Sequence, residues 1–166
     1  MSRKAVHIAA ALFALLFATA CATTKPQPAA PSTSVLFVCE HGNVKSLMAM
    51  SYFNQVAQER KLPFVAIARG TDPNSTTVPK AIADGLLVDG LDTSDFRPTK
   101  VSAFDVSSAQ HVITIGVALP VDVQATNVIP ESWDDIPPAS IDFPASSKSI
   151  KAHVRQLIDH LSATRN

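Results

Sequence analysis

The residues able to do chemistry are concentrated in one stretch, Cys39-Glu40-His41-Gly42-Asn43-Val44-Lys45-Ser46. It follows the apolar run Val35-Leu-Phe-Val38 and leads into a segment whose apolar residues recur at helical spacing. A small-residue loop between a buried strand and a helix turns successive backbone N–H groups inward as an anion nest, and the helix N-terminus adds partial positive charge. A phosphate-sized oxyanion fits such a nest, held by the amides of Glu40, His41, Gly42, Asn43 and Val44 and by the Lys45 ammonium. The same field favours the nucleophilic form of a thiol, so Cys39 reads as both nucleophile and pocket wall. His41 either donates to the oxyanion or sits on the loop surface.

The elements that must position this loop alternate between strand and helix. Val35–Val38, bounded by polar Ser34 and by the loop, is a strand buried on both faces. Leu47, Met50, Phe53 and Ala57 mark an amphipathic helix from Ser46 to about Arg60, and Phe64-Val-Ala-Ile-Ala68 follows Pro63 as a second strand. Pro79 at a first helical position, Ile82 and Leu86 on one face and Gly90 at the end give a second helix. His111–Ile115 reads as a third strand and Asn127-Val-Ile129 as a short fourth. Ile150, Val154, Leu157, Ile158 and Leu161 trace the apolar stripe of a last helix, with His153 and His160 off it and reading as solvated. Trp133 either lines the cleft or packs. The alternation implies an α/β fold with a parallel sheet covered by helices. Ligands in such sheets sit at the carboxyl ends of strands, which is where Cys39 lies.

The stretch Val35 to Met48 resembles the phosphate loop of low-molecular-weight protein tyrosine phosphatases and thioredoxin-coupled arsenate reductases, which share one fold. The family signature is cysteine, five residues, arginine, then serine or threonine, directly after the first strand. Cys39, Lys45 and Ser46 occupy those places, with lysine where the family has arginine. The resemblance runs on through Arg69-Gly70-Thr71, the Pro79 helix, Asp92-Thr-Ser94, the strand ending at Ile115 and Trp133 to Ala139, covering nearly all of residues 34–163. It implies a flavodoxin-like four-stranded parallel sheet with helices on both faces. It also implies a phosphocysteine formed at Cys39, with Ser46 hydrogen-bonding the thiolate. The family's late Asp-Pro general acid has its nearest counterparts in Asp134 and Asp135, although an ungapped alignment puts the acid position on Ile136 or Pro137. Lys45 replaces a planar fork by a mobile point charge, which affects transition-state stabilisation more than anion binding.

Three functions follow as expectations. The first is hydrolysis of phosphomonoesters of the phosphotyrosine kind, from a phosphoprotein or a small phosphomonoester. The second is an inactive domain that binds oxyanions or a protein partner. The third is arsenate reduction with an external thiol, since the sequence holds no cysteine after Cys39. No metal or organic cofactor is needed, because the loop supplies the positive field. With 14 basic and 14 acidic residues and no basic stripe, the chain lacks the footprint of a nucleic-acid binder.

The chain opens on an export pattern. Arg3 and Lys4 form a positive n-region, and Ile8 to Ala18 an apolar run too short to span a bilayer. Ala18-Thr19-Ala20-Cys21 resembles the lipobox of bacterial lipoproteins, whose cysteine is acylated, and equally fits plain cleavage after small residues. Residues 1–20 are thus read as a signal peptide, 21–33 as a Pro-rich tether and 34–166 as one phosphatase-like domain, exported to the periplasm and anchored to a membrane through lipidated Cys21. Loss of Arg3 and Lys4 leaves 12 basic against 14 acidic residues, a mature charge of −2.

Overall fold

The computed structural model describes residues 33–125 and 128–164. The signal segment, Cys21 and the tether up to residue 32 lie outside the described residues. The elements run β1 (Thr33–Cys39), α1 (Lys45–Glu59), β2 (Phe64–Gly70), α2 (Lys80–Val88), α3 (Ala103–Ser108), β3 (His111–Thr114), a single 3-10 turn (Val121–Val123), β4 (Glu131–Ser132) and α4 (Phe143–Ala163). The strands form one all-parallel sheet in the order β2-β1-β3-β4. This is the expected α/β architecture.

β1 is central, and its side chains serve two cores because successive residues point to opposite faces. Val35, Phe37 and Cys39 face α1 and α4, meeting Leu47, Phe53, Ile150, Val154 and Ile158. Leu36 and Val38 face the other way, against Val101, Val106 on α3, Leu119 and Val123. Helices therefore cover both faces of the sheet. Burying each such side chain contributes roughly 1.5–3 kcal/mol, so Leu36→Ala or Phe37→Ala would loosen the strand that carries the loop.

Two elements differ from the sequence reading. The fourth strand is Glu131–Ser132, paired with Ile113 and Thr114, and not residues 127–129. Asn127 lies outside the described residues, Val128 closes a turn onto the Ala125 carbonyl, and Ile129 is 94% exposed. Pro130 has no N–H to give a ladder, so pairing starts after it. The short helix α3 was not anticipated. It is nucleated by a capping box in which Ser102 Oγ accepts from the Asp105 amide while the Asp105 carboxylate accepts from the Ser102 amide. α4 begins two turns before its apolar stripe, capped by Asp142 with Pro144 in the first turn.

Candidate active site

The chain leaves central β1 for β2 on one side and later returns as β3 on the other. Such a switch point opens a crevice at the carboxyl ends of the strands. A cavity of about 290 Å³ lies there. Cys39, Glu40, His41, Val44 and Lys45 form one wall, Ile115 to Val117 beyond β3 a second, and Pro138 to Ser140 the third. The cysteine ends β1 and the lysine begins α1.

The loop between them takes its shape from the segment after β2. Gly42 has φ +73° and lies so close to β2 that a Cβ on it would sit 2.6 Å from the Gly70 amide nitrogen. Gly70 in turn has no room for a side chain, since its Cβ would come 2.7 Å from the His41 carbonyl carbon. Two glycines are thus needed for one backbone-to-backbone contact. The Thr71 amide donates to the Cys39 carbonyl at 3.0 Å and the Asp72 amide to the Glu40 carbonyl at 2.8 Å. The buried Asn43 donates from Nδ2 to the Thr77 carbonyl at 3.0 Å. The His41 ring is held from both ends. Its Nδ1 donates to the Asp72 carbonyl at 2.9 Å, which leaves Nε2 to accept from Asn74 Nδ2 at 3.3 Å. Asn43 and His41 therefore brace the loop with their side chains.

Within this frame the reactive groups meet. Cys39 Sγ and Ser46 Oγ lie 3.0 Å apart, both buried. Among the described residues, no protein acceptor takes a hydrogen bond from the backbone amides of Glu40 to Leu47. The first amides of a helix have no partner within it, and together with those of the loop they form a donor set that suits an oxyanion. Lys45 Nζ donates to the Ile136 carbonyl at 3.0 Å and lies beside Gly116, where a Cβ would come 3.6 Å from the ammonium.

The two late aspartates are not brought into this cavity. Asp134 lines a larger neighbouring one, about 600 Å³, that shares the Gly116–Val117 wall. Asp135 is exposed, and both its oxygens lie 3.0 Å from His153 Nε2. That hydrogen bond holds its carboxyl below the usual carboxylate range. Glu40 is the carboxylate that lines the Cys39 cavity, and its side chain faces solvent. Arg69 turns to the opposite core and pairs with Asp105 at 3.0 Å.

Several contributors escaped the sequence reading. The pairing of Gly42 with Gly70 and the Ile136 carbonyl depend on backbone approach, which residue types do not announce. His153 is not a solvated surface histidine but stacks on Trp133 with ring centroids 4.7 Å apart. Trp133 itself is 2% exposed and packs on Phe37. Among the described residues, no group of three or more His, Cys, Asp or Glu side chains is placed to hold a metal ion.

No protein-family model and no curated protein sequence matches the chain. Solved structures do match. YfkJ from Bacillus subtilis superposes with a TM-score of 0.69 at 19% identity, over 81% of this chain and 97% of its own. The low molecular weight protein tyrosine phosphatase from T. tengcongensis gives 0.64 at 18% identity, over 78% and 99%. The chain has the fold of the low-molecular-weight phosphatases. A thioredoxin-dependent arsenate reductase from Corynebacterium glutamicum shares it, with a TM-score of 0.66 at 20% identity over 82% of this chain and 65% of the reductase. The low-molecular-weight phosphatase fold thus carries at least two oxyanion chemistries, and identities this low speak to fold alone.

Proposed function

We propose that this chain is an exported, cysteine-dependent phosphatase-like protein that binds phosphate or arsenate in the Cys39–Ser46 loop and hydrolyses phosphomonoesters of the phosphotyrosine kind. The observation that carries the reading is the buried Cys39–Ser46 pair at 3.0 Å, next to loop amides that take no protein acceptor and the Lys45 ammonium. Cys39 Sγ attacks phosphorus as the P–O bond to the leaving group breaks. The amides of Glu40 to Val44 and Lys45 stabilise the equatorial oxygens. Ser46 donates to the sulfur as thiolate before attack and again when water displaces it from phosphorus. Water attack on the phosphocysteine then releases orthophosphate and restores the thiolate.

With Asp134 and Asp135 outside the cavity, the departing oxygen relies on its own acidity, which favours aryl over alkyl esters. The same placement, with lysine in the arginine position, also supports a second reading, an oxyanion-binding domain without turnover. Arsenate reduction is the third. Cys39 is the only free cysteine among the described residues, so an external thiol would have to take up the oxidising equivalents as a mixed disulfide while arsenic(V) becomes arsenic(III). Export and lipidation at Cys21 rest on the sequence of residues 1–21.

The test assays the full-length protein and Cys39→Ser against an aryl phosphate under reducing conditions, with phosphate and arsenate titrations by calorimetry. Turnover that vanishes in Cys39→Ser supports the phosphatase. Binding without turnover supports the inactive domain, and thiol-dependent arsenite release supports the reductase.

A further inference from the structure

We propose that Asp135 and His153 are positioning residues for Lys45, acting through the backbone of the segment Trp133 to Ile136. The role rests on the oxyanion reading only for its ligand, because the contacts themselves belong to the free protein. A lysine ammonium ends a flexible four-carbon stem, and it stays in one place only when something holds one of its three donors. Here the Ile136 carbonyl does so at 3.0 Å, leaving the remaining donors for an oxyanion. The position of that carbonyl therefore sets where the charge stands.

The carbonyl is fixed by its neighbours in the chain. The Trp133 amide donates to the Thr114 carbonyl at 2.8 Å, tying the segment to the end of β3, and the indole Nε1 donates to Glu131 Oε1 at 2.7 Å. One face of the buried Trp133 meets Phe37 of β1, at a centroid distance of 5.4 Å, and the ring also stacks on His153 of α4 at 4.7 Å. His153 uses the same position to grip both oxygens of Asp135, the residue before Ile136. The Ile136 side chain is buried in the core that α1 and α4 share. One histidine on α4 thus holds the segment at residues 133 and 135, and the next carbonyl holds the lysine. Asp135 in this arrangement orients the cation of the oxyanion site.

The test uses the full-length protein with Asp135→Asn and with His153→Phe, which keeps an aromatic ring against Trp133 but removes the Nε2 donor. Asp159→Asn, on the same helix as His153, removes an exposed ion pair with Arg60 at the end of α1 and is the control. Affinity for inorganic phosphate is expected to weaken roughly two- to five-fold in both test variants, the size an exposed ion pair carries, and to stay unchanged in the control. A second measurement needs no ligand. Urea midpoints for Asp135→Asn, Lys45→Met and the double variant are expected to fall by less in combination than the sum of the single losses, because the two share one chain of contacts. Additive losses, or unchanged phosphate affinity in both test variants, would overturn the proposal. If the wild type binds no phosphate while the urea losses remain non-additive, the positioning role stands and the oxyanion reading falls.

Discussion

Replacing Gly42 by alanine tests whether the loop is shaped by its contact with β2. Gly42 and Gly90 both adopt positive φ, +73° and +81°, so alanine at either meets the left-handed penalty of roughly 1–2 kcal/mol. They differ in surroundings. A Cβ at Gly90 has nothing within 4 Å, whereas one at Gly42 would lie 2.6 Å from the Gly70 nitrogen and 2.9 Å from the Arg69 carbonyl carbon. Those are backbone atoms of a paired strand, where Gly70 N donates to Thr99 and Gly70 O accepts from Val101, so relief requires the loop to move away. Gly90→Ala should therefore cost about 1–2 kcal/mol. Gly42→Ala should cost that much plus about 1–3 kcal/mol, the range for forcing extra atoms into close packing. Urea unfolding of both variants gives the difference directly, and calorimetry with phosphate gives its consequence. Gly42→Ala is expected to lose phosphate binding while Gly90→Ala keeps it. Equal destabilisation with phosphate binding intact in both would refute the idea that this contact shapes the anion nest.

Three further outcomes follow from the same geometry. Ser46→Ala removes the hydroxyl 3.0 Å from the Cys39 sulfur, and turnover of an aryl phosphate should fall about 10- to 100-fold in kcat, the worth of a hydrogen bond to a charged group, with phosphate affinity little changed. Lys45→Arg supplies a planar fork for two phosphoryl oxygens, and kcat on the same substrate should rise in an active enzyme. The third concerns stability. The Tyr52 hydroxyl, at 2.6 Å, and Lys151, at 2.9 Å, hold the Asp89 carboxyl below the usual carboxylate range. A folded-state pKa below the unfolded one contributes stability that is complete above about pH 4 and is lost as pH falls through the lower folded value. Tyr52→Phe should thus cost roughly 1–2 kcal/mol at pH 7, and the gap from wild type should narrow below about pH 4 in urea unfolding.

What the chain declares in its sequence and what it does not can be separated by physical cause. β1 is legible because a strand buried on both faces must be apolar throughout, as Val35 to Val38 are. The middle and end of α4 are legible from the stripe Ile150 to Leu161, but its first two turns bury Ser146 and Ser147, which carry no hydrophobic signal. α3 is too short for periodicity and was not anticipated, and what starts it is a local capping box between Ser102 and Asp105. The two residues of β4 are exposed and polar, and their pairing is set by β3. At the site, the spacing of Cys39, Lys45 and Ser46 was readable because strand, nest and helix start occur in order along the chain. The Gly42–Gly70 approach, the Ile136 carbonyl and the stacking of His153 on Trp133 were not. Each joins residues from different elements, and the atoms that meet are backbone or lie on a helix face that looks polar.

Attack of Cys39 on phosphorus is the step on which turnover depends. Mixing the full-length protein with an aryl phosphate, quenching in acid within the first turnovers and mapping the peptide that contains Cys39 by mass spectrometry tests this most directly. A transient phosphoryl group is expected on Cys39, absent in Cys39→Ser and longer-lived in Ser46→Ala, where the departing sulfur has lost its hydroxyl donor. Aryl phosphate hydrolysis that proceeds undiminished in Cys39→Ser, with no phosphorylated Cys39 in the wild type, would contradict it.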